Sequence, residues 1–264
     1  MLNKEKLEVY DINYFQNYIP VEYKLRKGEI LNINPILVKD YLIYSNCSEI
    51  LSIDKDRIND INVMQMSYLQ FLYEKIINNN VDSFAKEKLS WICWKIFGYE
   101  NYLFDYDKER ITLCLIGKND KNENVYDKII TPKEFDEIIQ IIFSQNDKTY
   151  DNRHYSEDVK ELIKKYRAKI LKTQKIPTLE ERLNFVSSKL GKFSNELREL
   201  TFREFQGIYD SCLDSEIFLS RKIIQASYKY KVDDFQHPLF EPKKDITDEI
   251  FGGTTESFIS KLNK

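Results

Sequence analysis

Few residues in this chain carry chemistry in an arrangement that would use it. Only two histidines occur, His154 and His237. Each falls in a stretch that reads as loop. Neither stands in an HxxxH or HxH string that would aim two imidazoles at one metal. Surface or structural histidines are the expectation. Only 7 glycines serve the chain, and none builds a GxSxG elbow or a Walker-type loop. Four cysteines, Cys47, Cys93, Cys114 and Cys212, are widely spaced with no CxxC pair. They read as free, mostly buried thiols, because a core of this size needs no disulfide framework.

Paired carboxylates are the remaining route to acid–base or cation chemistry. Asp105 and Asp107 flank Tyr106 at an expected strand end. Asp210 and Asp214 would share a face only if one helix ran through both. With 43 acidic residues, chance pairs are expected, and no third ligand stands at a telling spacing. Asp120 to Asn124 lacks the glycine and terminal glutamate of an EF-hand and reads as a hairpin tip. The expectation is a chain that is not an enzyme, with no catalytic residue, no metal site and no cofactor.

Binding is the other class of function. A basic run covers Lys160 to Lys175. On a helix, Lys164, Lys165 and Lys169 spread around the polar side, while Leu162, Ile163, Tyr166, Ile170 and Leu171 face inward. Such a face could meet phosphates or an acidic partner, or simply be solvated. No aromatic stacking groups interleave with the basic side. Trp91 and Trp94 stand three apart and share one helical face, for which core packing is the ordinary explanation. Aromatic residues make up 14% of the chain, which suits protein interfaces. The C-terminal segment offers a Gly252-Gly253 hinge and a helix too short to hold alone. Its Phe251, Phe258, Ile259 and Leu262 must dock on the chain itself or on a partner.

The elements that would position these residues follow from periodicity. Tyr18 to Leu25 and Ile30 to Ile36 form a hairpin around Lys27-Gly28-Glu29, with Pro20 and Pro35 restricting the strands to edges or ends. Leu37 to Tyr44 is helical, with Leu37, Val38, Tyr41, Leu42 and Tyr44 inward, followed by a loop from Asn46 to Asp56. Ile58 to Ile77 reads as one amphipathic helix with Ile61, Met64, Tyr68 and Leu72 on its stripe. Asp82 or Ser83 caps a helix from Phe84 to Phe97, which Gly98 ends. Tyr102 to Tyr106, Arg110 to Ile116 and Val125 to Ile130 make an antiparallel meander.

Thr131-Pro132-Lys133-Glu134 is a capping box with proline at the first helical position. It opens a helix to about Ser144, with Phe135, Ile138, Ile139 and Ile142 inward. Further helices are expected from Ser156 to about Thr173 and after the Thr178/Glu181 box. The Thr201/Glu204 box should open a short helix, and a separate one should span Asp214 to Tyr230. The fold class is mainly α with small antiparallel β elements, that is α+β. It comprises an N-terminal hairpin, a central β meander and a C-terminal helical bundle. The regions expected are residues 1–130 (α+β), 131–232 (helical) and 233–264 (extended, with a short docking helix).

The 264 residues carry a net charge of −3, which argues against a surface devoted to nucleic acid. No secretion signal and no apolar run of about 18 residues occurs, so a cytoplasmic protein with no membrane partner is expected.

The strings Ile130 to Ile139 (ITPKEFDEII) and Phe143 to Asp147 (FSQND) resemble a region of tail assembly chaperones from tailed phages of Gram-positive bacteria. Leu200 to Phe205 (LTFREF) is similar to a helix start in those proteins, and Asn62 to Leu72 (NVMQMSYLQFL) is similar to part of their N-terminal half. The resemblance spans Ile30 to Ile223 in pattern, and residues past Lys231 depart from it. It implies a non-enzymatic tail morphogenesis protein that binds the tape-measure protein in the host cytoplasm. A structural part of the tail, baseplate or neck, and a nucleic-acid-associated protein using the basic helix, are the alternatives. Tape-measure or other tail proteins are the expected partners, and self-association stays open.

Overall fold

Local signals set most element ends. In the computed structural model, residues 4–55, 58, 60–79, 81–107, 110–119, 122–147 and 177–226 are described, with positions 159, 162, 163, 165, 166 and 168 between them. The order is α1 (Lys4–Tyr10), β1 (Val21–Lys24), β2 (Ile30–Ile33), α2 (Tyr41–Ser48), α3 (Ile61–Gln65), α4 (Tyr68–Phe71), α5 (Ala85–Ile92), β3 (Asn101–Asp107), β4 (Arg110–Lys118), β5 (Asn124–Ile130), α6 (Pro132–Asn146), α7 (Leu179–Leu190), α8 (Ser194–Arg198) and α9 (Phe202–Ala226). Wider π-helical turns extend α1 over Asp11–Phe15, α4 over Leu72–Ile77 and α5 over Cys93–Phe97. The chain is therefore α+β, mainly helical with small antiparallel sheets.

The hairpin β1–β2 is antiparallel with Val21 opposite Ile33 and Lys24 opposite Ile30. Gly28 turns it at φ +88°, a left-handed conformation that L side chains resist. Val21, Tyr23, Leu31 and Ile33 are buried on one face, whereas Ile30 is exposed. The meander has the order β3-β4-β5, with Ile111, Leu113 and Leu115 of the middle strand in the core.

Helix α6 begins as its local chemistry predicts. The Thr131 hydroxyl accepts from the Glu134 N–H at 3.5 Å, and Glu134 accepts the Thr131 N–H at 2.8 Å. Its apolar stripe, Phe135, Ile138, Ile139, Ile141 and Ile142, is buried. Its polar residues reach the hairpin region. Glu134 accepts the Arg26 N–H at 2.7 Å, Glu137 accepts the Tyr23 hydroxyl at 2.9 Å, and Asn146 accepts the Ile36 N–H at 2.8 Å. These three groups thus have partners, as does the Gln145 amide N–H on Ile19 O and Ile33 O, whereas Gln145 Oε1 is buried without one.

The chain divides into two units: Met1–Asp151 with Arg198–Phe205, and Asn152–Leu197 with Gln206–Lys264. The expected boundary at residue 130 differs from this, because α6 supplies core to the first unit. The return of Arg198–Phe205 is also a non-local feature. Leu37 bridges Thr201, the Val38 N–H donates to Leu200 O at 2.9 Å, and the Phe202 N–H donates to Ile36 O at 2.7 Å. Tyr41 and Phe202 stack at 3.5 Å between centroids. Arg203 donates to Ser144 O at 2.7 Å and pairs with Asp11. In the second unit, Phe185 of α7 packs edge-on against Tyr209 of α9 at 5.8 Å, and Leu183 and Val186 are buried.

Several expectations are corrected. Lys4–Tyr10 is helical although its periodicity drew no prediction. The expected helix from Ile58 to Ile77 breaks at Met66, whose backbone is extended (φ −62°, ψ 146°), because Ser67 caps a new helix by accepting the Gln70 N–H. Ile61 and Met64 consequently lie exposed instead of on a buried stripe. Part of the expected loop from Asn46 to Asp56 is helical, as α2 runs to Ser48 and a 3₁₀ turn covers Glu49–Leu51. Leu42 is exposed and not inward. The short helix after Thr201 and the helix from Asp214 are one continuous α9.

Candidate functional site

Helix α5 places Glu87, Ser90, Trp91 and Trp94 at i, i+3, i+4 and i+7, so all four fall on one face. Its opposite side is set by Ala85, Leu89, Ile92, Cys93 and Ile96, which are buried. Gly98 then ends the helical stretch at φ +79°, letting the chain double back. Glu100 arrives beside the tryptophans by that turn. Glu87, Ser90, Trp91, Trp94 and Glu100 line an open recess of about 460 Å³.

Trp91 packs partly against the core, while Trp94 is 49% exposed. Core packing therefore accounts for Trp91 and leaves Trp94 half in water. The Lys95 ammonium sits 4.4 Å from the Trp94 ring centroid and is held by Asp40 at 3.3 Å. A cation over an indole face is attracted by the ring quadrupole. Glu87 and Glu100 are exposed and have no ion-pair partner among the described residues. The Tyr102 hydroxyl donates to Lys86 O of α5 at 3.2 Å, and burial pushes that phenol above its ordinary range.

The second surface is on α9. Leu213, Ile217 and Ile224 fall in one row by helical periodicity, with Leu219 and Ile223 in another, and all are exposed. Only Phe202, Arg203 and Phe205 of this helix are buried.

Among the described residues, those singled out for chemistry are not brought together. Asp210 and Asp214 do lie one turn apart on a continuous helix, so the condition for a shared face is met. Among the described residues, however, no group of three His, Cys, Asp or Glu side chains could hold a metal ion. Asp105 is exposed on β3. Cys47, Cys93 and Cys114 are buried, Cys212 is half-buried, and all are free thiols. Burial raises each above the ordinary thiol range, which suppresses the reactive thiolate.

Lys165 is exposed in a helical position, and Leu162 beside it is exposed where an inward residue was expected. His154, His237, Lys164, Lys169, Phe251, Phe258, Ile259 and Leu262 lie outside the described residues. Among the described residues, no helix is long and apolar enough to cross a membrane. Sequence reasoning missed Glu87, Ser90 and Glu100. The helical spacing that paired the tryptophans also contains Glu87 and Ser90, so that part of the signal was present. No protein-family model, curated protein or solved structure matches the chain.

Proposed function

We propose that this chain is a non-enzymatic binding protein of phage tail assembly, a chaperone that holds helical segments of the tape-measure protein. The observation that carries the binding half is the exposure of two aliphatic rows on α9, Leu213 with Ile217 and Leu219 with Ile223. A helix that keeps rows of aliphatic residues in solvent suits pairing with another amphipathic helix, which buries both stripes. The tape-measure half rests on the resemblance of Ile130 to Asp147 and Leu200 to Phe205 to tail assembly chaperones. In this reading the chain covers a sticky helix until the tube polymerises, and its own chemistry is not consumed.

Co-expression with the tape-measure protein should recover a complex. The double variant Ile217→Ser/Ile223→Ser should lose most of it while keeping the helical circular dichroism of the parent, since both side chains are exposed. Mass spectrometry of purified virions should find the chain absent. A stoichiometric copy number there would overturn the chaperone assignment in favour of a structural part of the tail, baseplate or neck.

A further inference from the structure

We infer that the recess over Trp91 and Trp94 receives the guanidinium of an arginine side chain presented by a protein partner. The inference concerns α5 and the turn after it, and it stands whether or not the partner is a tape-measure protein.

The first argument is charge. Glu87 and Glu100 flank the recess, and neither has an ion-pair partner among the described residues. Of the neighbouring cations on the same helix, Lys88 and Lys95 are committed elsewhere, and Lys86 forms no ion pair among the described residues. Lys88 pairs with Asp82 at 2.9 Å and Glu49 at 3.5 Å, and Lys95 pairs with Asp40 at 3.3 Å. Two uncompensated carboxylates around two indoles favour a cationic occupant. The second argument is the ring itself, because Trp94 already draws the Lys95 ammonium to 4.4 Å. The third is shape. A recess of about 460 Å³ lies within the roughly 300–1,000 Å³ of small-ligand pockets, but this one is open on one side. Such an opening fits the end of a side chain entering from another protein better than a free metabolite that must be enclosed.

Arginine fits these features better than lysine. Its planar guanidinium can lie on an indole while its fork of N–H donors reaches carboxylates on either side. A lysine ammonium brings the charge without the flat stacking surface. An exposed tryptophan such as Trp94 also anchors interfaces, where Trp and Arg are enriched among the residues that carry binding energy.

The chain contains 2 tryptophans, and both line this recess, so selectively excited tryptophan emission reports on it. The full chain is titrated with acetyl-Gly-Arg-Gly-amide and with its lysine and norleucine analogues, following tryptophan emission. A saturable change with the arginine peptide, weaker with lysine and missing with norleucine, is the expected result. The single variants Glu87→Gln and Glu100→Gln should each weaken the arginine response about threefold, and the double variant about tenfold. Both glutamates are exposed, and unchanged circular dichroism of the variants would establish that they fold. A flat titration, an equal response to all three peptides, or a double variant that binds as the parent does would overturn the inference.

Discussion

Helices α6 and α9 begin alike and end differently. Each follows a Thr-x-x-Glu string, and each carries an apolar stripe. Along α6 the stripe is buried, and even Glu134, Gln140, Gln145 and Asn146 are out of solvent. Along α9 burial stops at Phe205, and the aliphatic residues beyond it stay exposed. The caps differ in the same sense. Thr131 and Glu134 exchange both bonds, whereas at Thr201 the hydroxyl accepts the Glu204 N–H at 3.2 Å and the Thr201 region is occupied by the bridge to Leu37. Amphipathicity alone therefore does not tell a core helix from a binding helix. What separates them is whether other elements of the chain bring a surface to meet the stripe.

The comparison can be broken most directly at its apolar extremes. Phe135→Ala removes a side chain 1% exposed and should cost about 3–5 kcal/mol in urea unfolding. Ile223→Ala, at a residue 71% exposed, should change stability by less than about 0.5 kcal/mol. Similar losses at both sites would mean that α9 is packed as α6 is.

A smaller effect tests the short stretch where α9 is buried. Arg203→Met removes the bond to Ser144 O and the partner of Asp11, together with a guanidinium 5.3 Å from the Phe15 ring. The expected loss is about 2–3 kcal/mol, read by the same unfolding curves. A neutral result would show that the backbone bonds at Leu200 and Phe202 and the buried Phe202 and Phe205 hold the return segment without the guanidinium.

The smallest effect concerns the cost of burying α6. Burial raises the Asp136 carboxyl above its ordinary value, with Glu137 adding to the rise and Lys55 opposing it. The folded state therefore favours the protonated form. The resulting stabilisation is full below the ordinary carboxylate pKa and is lost as pH rises through the folded value. Asp136→Asn should melt slightly higher than the parent near pH 7 and alike near about pH 3. A variant less stable than the parent at neutral pH would contradict that sign.

Legibility in the sequence followed the range of the determining interaction. The Thr131 and Thr178 boxes, the Gly28 turn and the meander depend on residues a few positions apart, and periodicity exposed them. The break at Met66 was local too, but Ser67 sits inside an apolar stripe that continues across it, and the stripe masked the cap. The continuity of α9 through Gly207 and Ser211 was hidden for the converse reason, since weak helix formers suggested an end where packing and backbone bonding carry the helix on. At the recess, the tryptophan spacing was visible, while the role of Glu100 depends on the turn at Gly98. Exposure of Ile217 and Ile223 could not be read at all, because it depends on what the rest of the chain leaves uncovered.

The bridge between Leu37 and Thr201 has a consequence for synthesis. Lys39 and Glu199, which join at its flank, are 160 residues apart. At a ribosomal rate of about 5–20 residues per second, Ile36 and Val38 wait roughly 8–30 s before their backbone partners are made. During that interval the Val38 N–H and Ile36 O, just beyond the hairpin, stay without their final backbone partners. Completion of this packing therefore waits for Leu200 to Phe202, and a ribosome stalled before Leu200 would leave the Val38 N–H and Ile36 O without those partners.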